Sequence, residues 1–250
     1  MSIEIIIGLF SLGIFVGFIN IISAGGSLIS LPVLIFFGLP SATANGTNRI
    51  AIIVQNIAAT FGFFKADRLH WKMSLELAIP TTIGSFLGAF YAITLSDEVF
   101  NRTLAIVMVS VLLLMIFRPH QRFQKENVKT GNKQTILLLI AFTFIGFYGG
   151  FIQAGVGFLI IAFLTVLTRN LLLADMHSIK TVVTTIYLLF STPIFIINGN
   201  VDWPYAIVLA LGSGIGGWLG GTFATRIPER VLQALIIIII SLLSIRLLIF

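Results

Sequence analysis

The stretch Ser23-Ala24-Gly25-Gly26-Ser27-Leu28-Ile29-Ser30-Leu31-Pro32 lies inside an apolar run. From Ile5 to Asn48 the chain holds no Asp, Glu, Lys or Arg. Two adjacent glycines and a proline do not suit a continuous membrane helix, because Gly-Gly weakens helix continuity and Pro removes a backbone donor. Irregular backbone at membrane depth survives only where protein buries it or where it lines a watery cavity. A second copy follows as Gln153-Ala154-Gly155-Val156-Gly157-Phe158. One copy alone reads equally well as a turn between two short helices. The repetition divides the chain into two halves, each built around one break.

The composition sets the class. Of 250 residues, 58% are hydrophobic and 10% charged, where soluble domains carry about 25% charged residues. A second charge-free run extends from Gln134 to Thr168. A membrane span needs about 20 apolar residues, so the chain is expected to be an all-α polytopic membrane protein. Apolar segments fill nearly its whole length, which excludes a soluble enzyme with one anchor. The net charge of +6 suggests nucleic acid at first sight. The cations lie mostly in short loops between spans, where a positive-inside bias puts them, and nucleic acid is not an expected partner. Without cysteine there is no disulfide or thiol chemistry. Met1-Ser2-Ile3-Glu4 lacks the basic start of a signal peptide, so the first helix is expected to be retained. No Gly-rich loop ends in Gly-Lys-Ser/Thr, so ATP is not bound in the Walker manner.

In order, spans are expected over about 3–22, 46–64, 73–94 and 99–117, with a short helix over 28–37 after the first break. The helix over 28–37 covers only half a bilayer core at about 1.5 Å per residue. Gly84-Ser85-Phe86-Leu87-Gly88 is a small-xxx-small pattern that lets helices approach closely. Residues 118–133 hold Arg118, Arg122, Lys125, Lys129 and Lys133 against Glu126 alone, and read as a basic cytoplasmic linker. The first repeat is then 1–117 and the second 134–250. The second repeats the plan, with spans over about 134–152, 178–197, 204–225 and 229–249 and a short piece over 157–167.

Residues match between halves at a slowly drifting offset. Ala24-Gly25 matches Ala154-Gly155, Thr47-x-Arg49 matches Ser178-x-Lys180, and Trp71, Gly84 and Gly88 match Trp203, Gly216 and Gly220. Loop charge flips between equivalents. The loop from Lys65 to Lys72 carries Lys65, Arg68 and Lys72, while Asn198 to Trp203 carries no cation; Asp97-Glu98 is acidic, while its counterpart holds Arg226 and Arg230. Under the positive-inside rule the halves face opposite ways, so two inverted repeats are expected, each of about four long spans plus one short helix after the Gly-rich break. Loop charge also places both termini outward.

Inverted repeats with broken helices at matching positions characterise secondary transporters, whose site lies near the midplane. The breaks at Gly25, Gly26 and Ser27 and at Gly155 and Gly157 would each deliver a half-helix amino terminus, which suits an anion. Arg49 and Lys180 are the cations attached to spans, and with Thr47, Asn48, Gln153 and Ser178 they make a candidate anion-binding set. The competing reading has both cations at helix ends, snorkelling to the lipid interface. No carboxylate falls well inside a span, so the coupling ion, H+ or Na+, has no acidic relay. Coupling would use backbone carbonyls, the substrate gradient or His177. His70, His120 and His177 read foremost as solvated loop residues and are not spaced as a metal site. Tyr148, Asn20, Gln55 and Asn56 are polar within spans and suit helix–helix hydrogen bonding as well as a path. No metal or cofactor is called for.

Ala24-Gly25-Gly26-Ser27-Leu28-Ile29-Ser30-Leu31-Pro32, then Ala44-Asn45-Gly46-Thr47-Asn48, and the second copy Gly149-Gly150-Phe151-Ile152-Gln153-Ala154-Gly155-Val156-Gly157-Phe158-Leu159 resemble the sulfite exporter TauE/SafE family of membrane permeases. The second break reads Gly-Val-Gly where the family would carry a fuller glycine run. The resemblance implies transport of a small sulfur-containing or organic anion, such as sulfite or an organosulfonate, across a bacterial inner membrane. An intramembrane enzyme is not expected, because the chain has no cysteine, no Asp/Glu pair inside a span and no His cluster. The residues by themselves point to an inverted-repeat transporter for an anion. The alternatives are a passive anion channel and a non-transporting membrane assembly subunit.

Overall fold

The computed structural model describes residues 1–117, 132–168, 171–223 and 229–249. The basic linker expected over 118–133 falls almost entirely outside them. Ten helices make up the described residues: α1 (Ile3–Ser23), α2 (Ser27–Phe36), α3 (Ser41–Lys65), α4 (Trp71–Ala92), α5 (Asp97–Phe117), α6 (Asn132–Phe151), α7 (Val156–Leu167), α8 (Leu173–Ile197), α9 (Trp203–Phe223) and α10 (Glu229–Ile249). Five of them, α1, α4, α5, α8 and α9, are long and apolar enough to cross a membrane. Exposed Ile79, Leu87, Phe190, Leu211 and Trp218 lie on these helices, and Phe61 and Phe144 on α3 and α6. Such a surface is unstable in water and at home in lipid.

Helix ends follow from local chemistry. Pro40, fixed near φ −52°, precedes α3, and the Ser41 N–H donates to Asp97 Oδ1 at 2.7 Å. Asp175 Oδ2 accepts from the Leu172 N–H at 3.2 Å and caps α8. Both helices therefore start five residues before the expected 46 and 178. Hydropathy misplaced these starts because each first turn holds a polar residue that protein buries, Ser41 in α3 and Asp175 in α8. At the first break Ala24 takes the left-handed conformation, with φ 59°, while Gly26 stays at φ −60°. Gly26 is needed for space. A Cβ there would lie 2.6 Å from the Asn20 Cβ.

From α3 onward the boundaries recur 132 residues later: Ser41 and Leu173, Lys65 and Ile197, Trp71 and Trp203, Asp97 and Glu229, Phe117 and Ile249. The packing repeats as well. α1 lies on α9 as α6 lies on α4, and α3 lies on α9 as α8 lies on α4, while α3 meets α8 and α5 meets α10. Phe10, Ile14 and Phe18 face Gly212, Gly216 and Gly220, so α1 and α9 run in the same direction. Thr81 and Ser85 face Gly146 and Gly150, so α4 and α6 also run together. Gly46 lies by Phe195, Arg49 bonds Ser191 and Arg68 bonds Asp175, so α3 and α8 are antiparallel. Small residues bring these backbones close, as the Gly84 and Gly88 pattern predicts. The end of α7 lies beside the start of α6, since Leu167 and Thr168 line one groove with Thr135 and Leu138. α6 and α7 thus form a hairpin that returns to the side it left.

Candidate functional site

The two breaks meet in the interior. Ser27 Oγ, at the start of α2, accepts from the Gly155 N–H at 3.1 Å. A Cβ on Gly157 would lie 3.0 Å from the Ala24 Cβ and from the Lys180 Cδ. Gly155 holds φ 76° and Gln153 φ 69°, both left-handed. Tyr148 O–H donates to the Ala154 carbonyl, and Tyr187 O–H donates to Gln153 Oε1 at 2.7 Å. The second break is therefore braced from α6 and from α8. Gly25 faces Ile236 of α10.

Each half reaches across to the broken helix of the other. The last four carbonyls of a helix have no intrahelical partner and carry partial negative charge. In the last turn of α6, the Phe151 carbonyl accepts from Asn45 Nδ2 at 2.7 Å. The Gly149 carbonyl accepts from Arg49 Nη2 at 3.0 Å, and Gly150 accepts from the same nitrogen. In the last turn of α1, the Asn20 and Ile21 carbonyls accept from Lys180 Nζ at 2.6 and 3.3 Å. The two cations thus cap the carboxyl ends of α6 and α1, beside the amino ends of α2 and α7. They are 0% and 3% exposed, which overturns the snorkelling alternative. They do not occupy strictly equivalent positions either. The spacing of 132 residues pairs Lys180 with Asn48 and Arg49 with Thr181. Long side chains absorb this one-residue difference.

The Arg49 environment is unusual. Its Nη1 donates to Ser191 Oγ at 3.1 Å, and its guanidinium lies 4.3 Å from the Phe195 ring centroid. Its Nε is buried without a hydrogen-bond partner. Among the described residues no carboxylate pairs with it; the ion pairs there are Arg68 and His70 with Asp175, and Arg102 with Glu98.

The other candidates divide. Thr47 is turned away: its hydroxyl accepts from the Asp202 N–H at 2.9 Å and ties α3 to the turn before α9. Asn48 and Ser178 are buried, with Nδ2 and Oγ lacking a hydrogen-bond partner. Gln55 bonds Asn56 within α3 at 3.2 Å. His177 departs from its expected loop setting. It is the fifth residue of α8, 2% exposed, with neither ring nitrogen hydrogen-bonded. Asn45 and Tyr187 were missed. Their signal was present, because polar residues at helical spacing inside apolar spans are rare and face protein. A groove of about 990 Å³ between α4, α6 and the end of α7 is separate from this site, lined by His70, Lys72, Glu76 and Leu138 among others.

Broken helices packed back to back, with outward apolar faces and buried cations, define a multi-pass membrane protein of the transporter class. The profile of the sulfite exporter TauE/SafE family matches residues 9–247, and the chain belongs to that family. It is 26% identical to a probable membrane transporter protein of Haemophilus influenzae, covering 95% of this chain and 92% of the relative. A Sinorhizobium probable membrane transporter protein, ORF9, is 26% identical over 96% of this chain and 91% of its own length. The probable membrane transporter protein YfcA of Escherichia coli K12 is 27% identical over 96% and 88%. No solved structure matches the chain.

Proposed function

We propose that the protein is a secondary permease for a small sulfur-containing or organic anion, such as sulfite or an organosulfonate. Its two halves would act as inverted repeats that give alternating access to the crossed breaks. The observation that carries the anion assignment is Arg49. A guanidinium taken out of water without a counter-charge is strongly disfavoured, and carbonyl dipoles offset only part of that cost. An anion beside the free Nε–H and the amino ends of α2 and α7 completes the electrostatics. The antiparallel course of α3 and α8, and the exchange of packing partners between halves, support rocking of one half against the other.

The test is uptake into proteoliposomes holding purified protein, with sulfite, thiosulfate, sulfoacetate, sulfate, acetate and chloride as probes. One sulfur anion or organic anion is expected to enter and to exchange against itself. Counter-flow stimulation separates a permease from a passive channel. Uptake of none of these anions would sink the proposal.

A further inference from the structure

Along α8, His177, Lys180, Thr184, Tyr187 and Ser191 recur at spacings of three and four, and so make one stripe of the helix. All five are buried, none more than 6% exposed. The stripe covers about 21 Å at 1.5 Å per residue, from the end near Asp175 to Ser191, where Arg49 bonds. The α3 counterparts at the 132-residue spacing are Asn45, Asn48, Ile52, Gln55 and Ala59. These are as deeply buried, but none of them titrates. The two halves present the same stripe with different chemistry.

We infer that His177 carries a proton that moves together with the anion, so that the protein is an anion–proton symporter whose proton path runs along the α8 side alone. The inference rests on the permease reading above. A neutral imidazole carries one donor and one acceptor, and both ring nitrogens of His177 are buried without a hydrogen-bond partner. Imidazole is the side chain whose ordinary pKa puts its charge change near neutral pH. Other charged or titratable groups surround it unevenly. On α8, Asp175 precedes it and Lys180 follows one turn later, with Tyr187 beyond. Arg68 and His70, before α4, both reach Asp175 at 3.4 Å. From α3 come Arg49, deep in the interior, and Lys65, at its exposed end; α4 contributes exposed Lys72, Glu76 and Tyr91. α6 contributes Tyr148, α1 only Glu4 at its far end, and α7 none. The half-exposed His70 contacts the buried Asp175, which stands two residues before His177 on α8.

The coupling is electrostatic. A proton on His177 places a second positive charge one turn from Lys180, and like charges at that distance repel. An anion at the amino end of α7, where Gly157 lies against the Lys180 side chain, relieves the repulsion. Each ligand then favours the other's binding by the same factor. The step is a proton transfer: an O–H bond of hydronium on one side breaks as a ring N–H forms, and on the other side that N–H breaks as water takes the proton back.

Proteoliposomes loaded with a pH-sensitive dye, with the membrane potential clamped, provide the test. Thiosulfate and sulfoacetate are suitable probes, because neither changes protonation between pH 6 and 8. Wild type is expected to acidify the lumen on anion addition. An inward proton gradient of one pH unit should raise accumulation about tenfold per coupled proton. His177→Gln should keep anion–anion exchange at equal pH and lose both responses; His177→Asn serves if the Gln variant does not insert. Exchange by wild type without acidification, or either variant keeping the gradient response, overturns the inference and leaves the permease intact. Failure of wild type to exchange any anion removes the permease reading and this inference with it.

Discussion

At Arg49 a full positive charge is held by dipoles and a ring face: two carbonyls, a serine hydroxyl and Phe195. An apolar chain in place of the guanidinium removes its desolvation cost, which offsets the hydrogen bonds lost by Gly149, Gly150 and Ser191, whereas a carboxylate there meets those carbonyls with like charge. Arg49→Met is therefore expected to melt near wild type in detergent and to lower anion uptake by at least about tenfold. Arg49→Glu would face the carboxyl ends of α6 and should lose about 3 kcal/mol or more. Equal melting of both variants would show that the guanidinium is not held as described. The charge itself was legible in the sequence, since an ionisable residue among apolar neighbours is a functional signal. Its partners were not, because Gly149 and Gly150 contribute backbone carbonyls, which every residue type offers alike.

Among the helices, the contacts that matter are made by what is absent. A Cβ on Gly88 would overlap the Phe147 carbonyl of α6, whereas one on Gly8 would meet nothing within 4 Å. Gly88→Ala must part α4 from α6 and is expected to cost about 1–3 kcal/mol. Gly8→Ala should be neutral or slightly stabilising, by up to about 1 kcal/mol, through helix propensity. Denaturation of both variants in detergent checks the contrast, and equal effects would refute the packing account. The breaks were readable because paired glycines interrupt an apolar run. Their shape was not, for Ala24 and Gln153 rather than Gly25 and Gly26 take left-handed backbone. Apolar runs also missed the first turns of α3 and α8, where Ser41 and Asp175 are buried by neighbours distant in sequence.

For the molecule as a whole, the directions of the helices set the sidedness of the loops. The turn after α3 and the turn after α8 end antiparallel helices, so they lie on opposite faces of the membrane. The chain has no cysteine, so single thiols can be placed cleanly. Ala66→Cys and Asn198→Cys, both at exposed positions, are expected to label from opposite sides with an impermeant maleimide in oriented vesicles. Labelling of both from one side would overturn the antiparallel arrangement. The sequence by itself determined the membrane class, the two breaks and the presence of two cations beside apolar runs. These depend on composition and local backbone preference, which act between neighbours in the chain. Only the tertiary structure decided that each cation caps the other half's broken helix, that Thr47 belongs to a loop contact and that His177 is buried. Those outcomes depend on which helix faces turn toward each other, and that is settled by packing between residues more than a hundred positions apart.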